Sequence, residues 1–267
     1  MSTLDRHAVT AVEYAEPDVR AVARAEPAPS LLRNALIPIS VVLSFALYYQ
    51  AHWSLPAITL VLATSMLTRA LIPRWAERSR ADFDRDAIGL VASRRLDALR
   101  SRLRRATGMR WFGAPALVAE REGMVAAERG EMKTAYLAYE RALSGYEGAA
   151  PISVVLGYAH ASRATGHDDE AEKAYRAVLD AGLPRVHVGL AHVLARADRA
   201  LDEAEALLDK AEPQARDEAQ RAEIALVRAL VLVRRGKKKK ARAALSELEV
   251  PEPLEALADE IKRALER

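Results

Sequence analysis

The feature that most constrains this chain is a pattern of small and large residues that occurs twice, 36 positions apart. In each copy an alanine follows a glycine by five residues, and a tyrosine follows the alanine by four. Glycine readily takes the left-handed conformation that ends a helix, alanine lets a neighbouring helix approach closely, and a ring one turn later fills the adjacent space. The pattern therefore predicts pairs of packed helices. Its residues are Gly130, Ala135, Tyr139 and Ala142, then Gly166, Ala171, Tyr175 and Val178.

Two looser copies follow and predict two further helical pairs. Hydrophobic residues make up 51% of the chain but aromatic residues only 5%, a composition that favours helices. Because one helical pair cannot bury its apolar face alone, the pairs must stack. We expect an all-α protein with an α-solenoid of about four helical pairs over residues 115–250 and almost no strand. The looser copies are Ala204, Leu208 and Ala211, then Gly236, Ala241, Leu245 and Leu248.

The second helix of each of the first two pairs carries a family signature, in the stretches AYLAYERAL and AEKAYRAVL. The segment resembles the tetratricopeptide repeat (TPR) family, whose second helix has an alanine four residues before a phenylalanine and whose period is about 34 residues. The family's first-helix tryptophan and tyrosine are absent, so degenerate pairs of another solenoid type remain the alternative. Residues 251–267 have apolar side chains at helical spacing and predict a terminal capping helix.

Residues 34–68 contain no Asp, Glu, Lys or Arg. One straight helix of that length would far exceed the hydrocarbon core of a bilayer, and Pro56 interrupts the run. We therefore expect a transmembrane helical hairpin over residues 34–73, with spans at 34–52 and 55–73. A buried helical hairpin in a soluble oligomer is the alternative.

The flanks of this run predict its orientation and the cellular location. Residues 69–110 carry twelve arginines against five acidic residues, whereas the turn between the spans carries no Lys or Arg. The positive-inside rule then places both termini and the solenoid in the cytoplasm. The many Arg and Ala residues are typical of a protein from a GC-rich bacterium, so we expect the membrane to be the bacterial inner membrane. Residues 1–33 mix arginines with acids and predict a disordered polar tail rather than a secretory signal.

Residues 76–107 predict an amphipathic helix that connects the hairpin to the solenoid. Five apolar residues of this segment share one stripe at helical spacing. We expect this stripe to pack on the following domain, with membrane contact or pairing with a second copy as alternatives. The stretch TGMRWFGAP at 107–115 should end the helix and mark the domain boundary. The stripe consists of Ile88, Val91, Leu96, Leu99 and Leu103.

The sequence offers no catalytic motif. It has no HExxH, P-loop, nucleophile elbow or dinucleotide fingerprint, and its lack of cysteine excludes disulfides and thiolate metal sites. His187 and His192 are five residues apart, hence on different helix faces, which favours a packing or surface role over metal binding. We therefore expect neither an enzyme nor a bound cofactor or metal.

Three arginines recur at similar places in successive pairs. Arg163 and Arg196 lie eight residues before their pair's alanine, and Arg234 lies seven before. The resemblance to TPR proteins implies that these positions face a partner-binding groove, where His160, three residues before Arg163, would join them. Arginine's planar fork suits the carboxylates of a protein partner. Unrelated surface side chains are the alternative.

A second basic feature, RRGKKKKAR at 234–242, contains Lys237, Lys238, Lys239 and Lys240 at the turn of the fourth pair. Such a charge run is typical of a solvated turn, or it binds an anionic surface such as lipid headgroups, acidic protein or nucleic acid. No aromatic residue interleaves the lysines, which disfavours single-stranded nucleic acid.

These features predict a membrane-anchored adaptor that binds a protein partner through a TPR-like groove and keeps that partner at the bilayer surface. Two other functions remain open. One is binding to an anionic lipid or nucleic-acid surface through residues 234–242. The other is a regulatory subunit of a larger membrane complex.

The location can be tested by fractionation of cells that contain the full chain. We expect the protein to pellet with membranes, to resist carbonate extraction, and to be spared by protease added to sealed spheroplasts. Release by carbonate would exclude an integral hairpin, and loss of residues 110–267 to protease would reverse the orientation.

Overall fold

A computed structural model describes residues 31–51, 55–146, 150–183 and 186–266. Within these residues the chain is helical, with no strand, as predicted. The predicted disordered tail, residues 1–33, lies outside the described residues except for its last three.

The first two helices cover the uncharged run. α1 spans Leu31–Ala51 and packs against α2, which spans Leu55–Ala92. Pro56 stands at the second position of α2, where a helix leaves its first N–H groups unbonded and proline is tolerated. In contrast to the predicted span at 55–73, α2 continues through Pro73 for another five turns.

The predicted transmembrane hairpin finds no support in this structure. Among the helices of the described residues, none combines the length and the apolar character that crossing a membrane requires.

The predicted connecting helix over 76–107 is wrong as a single element. α2 ends at Ala92, Arg94 takes a left-handed backbone with φ of 54°, and α3 spans Leu96–Arg105. Residues 107–115, predicted to be a break, begin with the short helix α4 at Thr107–Phe112. The break lies at Arg94 because the short α3 turns its apolar residues back towards α2.

The apolar stripe of this region shares a core with the first helical pair. Val91, Leu99 and Leu103 are buried in one core with Val125, which belongs to the first helix of the first pair. Ile88, by contrast, is about half exposed. An ion pair reinforces the packing, because Arg121 donates two hydrogen bonds of 3.0 and 3.2 Å to the Asp84 carboxylate of α2.

Four helical pairs follow, as the pattern predicted. The first is α5, Pro115–Glu128, with α6, Met132–Ser144, and the second is α7, Ile152–Thr165, with α8, Asp168–Asp180. The third is α9, His187–Arg196, with α10, Leu201–Ala211. The fourth is α11, Glu218–Arg234, with α12, Lys238–Ser246, and α13 at Glu255–Glu266 ends the described chain.

The repeated small residues lie where the pattern placed them. Three of the turns between paired helices contain a glycine with positive φ, at Gly130, Gly166 and Gly236. The third turn has no glycine and uses Asp198 and Ala200, both with positive φ. The alanine of every second helix is completely buried; these residues are Ala135, Ala171, Ala204 and Ala241.

Tyrosine and glycine complete the helix contacts. A Cβ added to Gly123 would lie 3.0 Å from the ring of Tyr139, and one added to Gly189 would lie 2.7 Å from the ring of Tyr175. Real Cβ atoms essentially never come within 3.0 Å of another heavy atom, so Gly189 is required at its contact, and a larger residue at Gly123 would have to displace the Tyr139 ring.

The chain divides into two compact units. The N-terminal unit ends at Val154 and includes the first pair; the C-terminal unit begins at Val155 and includes most of the second pair, the third and fourth pairs and α13.

The close approach at the alanines gives a stability prediction. Replacement of Ala171 by leucine should lower the free energy of unfolding by about 1 to 3 kcal/mol, because no space exists beside its methyl group. Replacement of the exposed Ala177 by leucine, on the same helix, should change it by less than about 0.5 kcal/mol. Urea unfolding of both variants measures the difference, and equal costs would contradict the assignment of Ala171 to the helix contact.

Candidate functional site

The three arginines predicted to line a groove form a ladder along the first helices of the C-terminal unit. Arg196 of α9 donates through Nη2 to the backbone carbonyl of Arg163 on α7, at 2.7 Å. Arg234 of α11 donates through Nη2 to the carbonyl of Arg196 at 3.0 Å and through Nε to that of Ala195 at 3.2 Å. Arg196 and Arg234 therefore each bind the last turn of the preceding first helix.

This arrangement follows from the physics of helix ends. The last carbonyls of a helix have no partner within the helix, and the helix dipole places partial negative charge there. A guanidinium group from the next pair supplies a hydrogen-bond donor for these carbonyls and a positive charge that the dipole attracts. The ladder thus connects α7, α9 and α11 side by side.

Arg196 has the most complete set of partners. Its Nε donates to Asp168 Oδ2 at 3.0 Å, and its Nη2 also contacts Asp168 Oδ1. The predicted role of the three arginines in partner binding stays a prediction, but their guanidinium groups already make bonds within the chain.

A polar cluster lies beside the ladder and draws on four helices. Arg163 Nη1 lies 3.5 Å from Nδ1 of His192 on α9 and 3.5 Å from a carboxylate oxygen of Glu223 on α11. His192 Nε2 lies 3.4 Å from Oε2 of Glu260 on α13. We call the surface of α7, α9 and α11 that carries Arg163, His192 and Glu223 the first-helix face.

The proton positions in this cluster follow from its donors. A guanidinium group can only donate, so His192 Nδ1 accepts and Nε2 carries the proton that faces Glu260. Burial lowers the pKa of His192 more than Glu260 raises it. Burial alone would raise the pKa of Glu260, but His192, Arg196 and Arg163 together lower it. His192 is therefore neutral and Glu260 ionised near neutral pH.

His160, which was predicted to share the face of Arg163, contacts Tyr175 of α8. Its Nδ1 lies 2.9 Å from the hydroxyl of Tyr175, and the two rings meet edge to face. Tyr175 is completely buried, and burial raises the pKa of its hydroxyl. His160 therefore belongs to the contact between α7 and α8.

The predicted anionic-surface residues, Lys237 to Lys240, lie at the turn before α12 and in its first turn. Arg235 of the same basic run pairs with Asp202 and Glu205, and Arg234 belongs to the ladder. In the described part of the chain, none of the four lysines forms an ion pair. Their place is unfavourable, because three of them lie at the positive end of a helix dipole.

Glu128, near the end of α5 in the N-terminal unit, is a further buried titratable group. Burial raises its pKa to about 8. Its Oε1 has no hydrogen-bond partner in the structure. Over the described residues, no group of three or more His, Asp or Glu side chains is arranged to hold a metal ion.

Residues 153–264 match the family model described as tetratrico peptide repeat. The match covers less than half of the chain and includes the ladder, the polar cluster and α13. It supports the predicted resemblance for the second, third and fourth pairs. No curated protein and no solved structure matches the chain.

Sequence reasoning identified Arg163 and the ladder but missed Glu223 and Glu260. These carboxylates have no fixed distance from the repeat alanines, so the period carries no signal for them. His192 did have a signal, since a polar residue inside the apolar run GLAHVLA of a helix is typical of a buried, partnered group.

The ladder gives a second stability prediction. Replacement of Arg196 by methionine should lower the free energy of unfolding by about 1.5 to 3 kcal/mol, because it removes charge-assisted bonds to Asp168 and leaves the carbonyl of Arg163 with only a 3.3 Å bond from the Gly166 N–H. The matched control is Arg199→Met, whose pair with Asp169 is exposed and worth less than about 1 kcal/mol. Chemical denaturation of both variants is the measurement. Similar losses of unfolding free energy in the two variants would contradict a structural role of the ladder.

Proposed function

We propose that this protein is an interaction scaffold that binds a protein partner through its TPR-like C-terminal unit. The observation that carries the proposal is the match of residues 153–264 to a repeat family whose members bind other proteins on stacked helical pairs. The structure supports it, because the first helices of three successive pairs share one face with both cationic and anionic groups.

The chemistry of that face favours a polar contact surrounded by apolar packing. Arg163 and His192 are largely buried, so a partner group that reached them would be withdrawn from water. Charge-assisted bonds are strong in such a setting, and they discriminate between partners because an unpaired buried charge is costly.

A second candidate function is binding to an anionic surface through Lys237 to Lys240. It is favoured by the unfavourable position of three lysines at the start of α12 and by the absence of ion pairs to them in the described residues. Lysines at the start of a helix do not stabilise it, because they repel one another and the positive end of the helix dipole repels them.

Location at the inner membrane, with the solenoid in the cytoplasm, stays a prediction from the sequence. Carbonate extraction and protease protection test it independently of the scaffold function. The scaffold function itself requires no membrane.

Photo-crosslinking in the source cells tests the scaffold function in the full chain. A photoreactive phenylalanine at Ala219 lies one turn before Glu223 on α11, whereas the same residue at Ala177 lies on the exposed side of a second helix. We expect a discrete protein adduct from position 219 and not from position 177, detected by mass spectrometry.

Neutralisation of the lysine cluster separates the two candidate functions. Glutamine at all four lysine positions should leave the adduct from position 219 unchanged. Equal labelling from positions 177 and 219 would contradict a specific binding face. Loss of the adduct in the glutamine variant, together with lost binding to anionic vesicles, would favour the anionic-surface function.

A further inference from the structure

The C-terminal helix α13 lies on the first-helix face and not only at the end of the stack. It packs against α11 of the fourth pair, and its Glu260 reaches His192 on α9 of the third pair. In a solenoid each repeat contacts only its neighbours, so a terminal cap would contact the fourth pair alone. Residues 251–267, predicted to form a terminal capping helix, therefore contact the third pair as well as the fourth.

The burial of α9 agrees with this placement. Eight of the ten residues of α9 are buried, including His187 and His192. A surface helix normally keeps one polar face in water. Because α9 has no such face, other helices must cover each of its sides. Glu260 supplies the cover at His192.

α13 has the form of a helix bound in a groove. Its buried residues, Ala258, Ile261 and Leu265, recur at three- and four-residue spacing, and its opposite side is charged and exposed. Helices that dock into protein grooves carry anchors at this spacing. One acidic residue, Glu260, points from this helix into the polar cluster.

The polar part of the fit is incomplete. His192 Nε2 is buried without a hydrogen bond, because 3.4 Å from Glu260 exceeds the usual distance. Charge-assisted bonds between well-fitted partners are about 2.7 to 2.9 Å long. The first-helix face therefore holds a buried donor that α13 satisfies only loosely.

We propose that α13 is a displaceable internal occupant of the first-helix face, and that the partner is a protein that presents an amphipathic helix with a carboxylate in the place of Glu260. This inference rests on the proposed scaffold function and specifies the chemistry of its partner. Arg163 and Arg196, which lie near Glu260, supply the complementary positive charge. α13 then competes with the partner for the same face.

The connection to α13 allows such release. Residues 247–254 separate α12 from α13; Pro251 precedes a 3-10 turn at Glu252–Leu254 that leads into α13, so α13 is not a continuation of α12. An isolated helix of twelve residues is marginally stable in water, so α13 should unfold once it leaves the face. Its backbone amides then exchange with solvent, which makes release measurable.

The test uses the full chain with Glu260→Arg, which places a cation beside Arg163 and Arg196. Hydrogen exchange read by mass spectrometry should rise at least about tenfold in α13, with exchange in α7 to α12 unchanged. The matched control is Glu266→Arg, an exposed change on the same helix, which should leave α13 protected. Glu260→Gln, a milder change, should give an intermediate increase.

A labelled peptide of residues 250–266 tests whether the vacated face binds a helix. Since tethered α13 competes at an effective concentration on the order of millimolar, the peptide should bind the Glu260→Arg chain at least about tenfold more tightly than the parent. A peptide that itself carries Glu260→Arg should bind at least about tenfold more weakly than the native peptide. Fluorescence anisotropy gives both values.

Four outcomes would overturn the proposal. These are unchanged exchange in α13, faster exchange throughout the C-terminal unit, no peptide binding to the Glu260→Arg chain, or dimerisation of that chain by exchange of α13 between copies. The second would make α13 an integral part of the fold, and the fourth would make a second copy the occupant. None of these measurements involves the cellular partner, so failure here and failure of the photo-crosslinking experiment are distinguishable.

Discussion

The distance between packed helices, set by four buried alanines, is the constraint on which the other contacts of the repeats depend. Ala135, Ala171, Ala204 and Ala241 have no exposed surface, so nothing larger than a methyl group separates the helices there. This spacing brings Gly189 onto the ring of Tyr175 in the C-terminal unit. It also places Arg196 and Arg234 within reach of the carbonyls at the end of the preceding first helix. Wider spacing would leave those carbonyls and guanidinium groups to water.

The polar cluster adds specificity at a cost in stability. Burying Arg163, Glu223 and Glu260 removes charges from water, and their mutual attraction offsets that penalty only when the geometry is good. Here two of the contacts are 3.4 to 3.5 Å long, so the cluster contributes less than a tightly paired one. Apolar side chains of similar size would pack the same space without this penalty. Charged residues at this place therefore agree with a face that binds a partner protein.

The repeats were predictable because their signal is local and periodic. The positive φ values at Gly130, Gly166 and Gly236 and the burial of the alanines follow from side-chain size and helix geometry alone. The third turn could be placed only from its alanine, since Asp198 and Ala200 stand where a glycine was expected. Local patterns also misplaced the end of α2, because the helix tolerates Pro73 and the break at Arg94 lets Leu99 and Leu103 of α3 turn back into a core shared with α2.

The candidate site was only half predictable. Arg163, Arg196 and Arg234 could be found because they recur at similar positions of the repeat. Arg196 and Arg234 donate to backbone carbonyls, however, and such acceptors cannot be read from a sequence. Glu260 lies far along the chain from His192, and only tertiary structure joins them. The contact of α13 with α9 was not predicted for the same reason: an amphipathic pattern shows that a helix has an apolar side but not which surface covers it.

The turn between α9 and α10 shows how a repeat protein can carry a tolerated imperfection. Ala200 has φ of 44° and ψ of 47°, a conformation in which its Cβ crowds the following carbonyl oxygen at a cost of about 1 to 2 kcal/mol. Asp198 tolerates its own left-handed conformation better, because short polar side chains bond locally to the backbone. Alanine normally stabilises a helical protein more than glycine does, but at Ala200 the left-handed backbone favours glycine. The stability of this repeat can therefore be raised by removing the methyl group of Ala200, without any new contact.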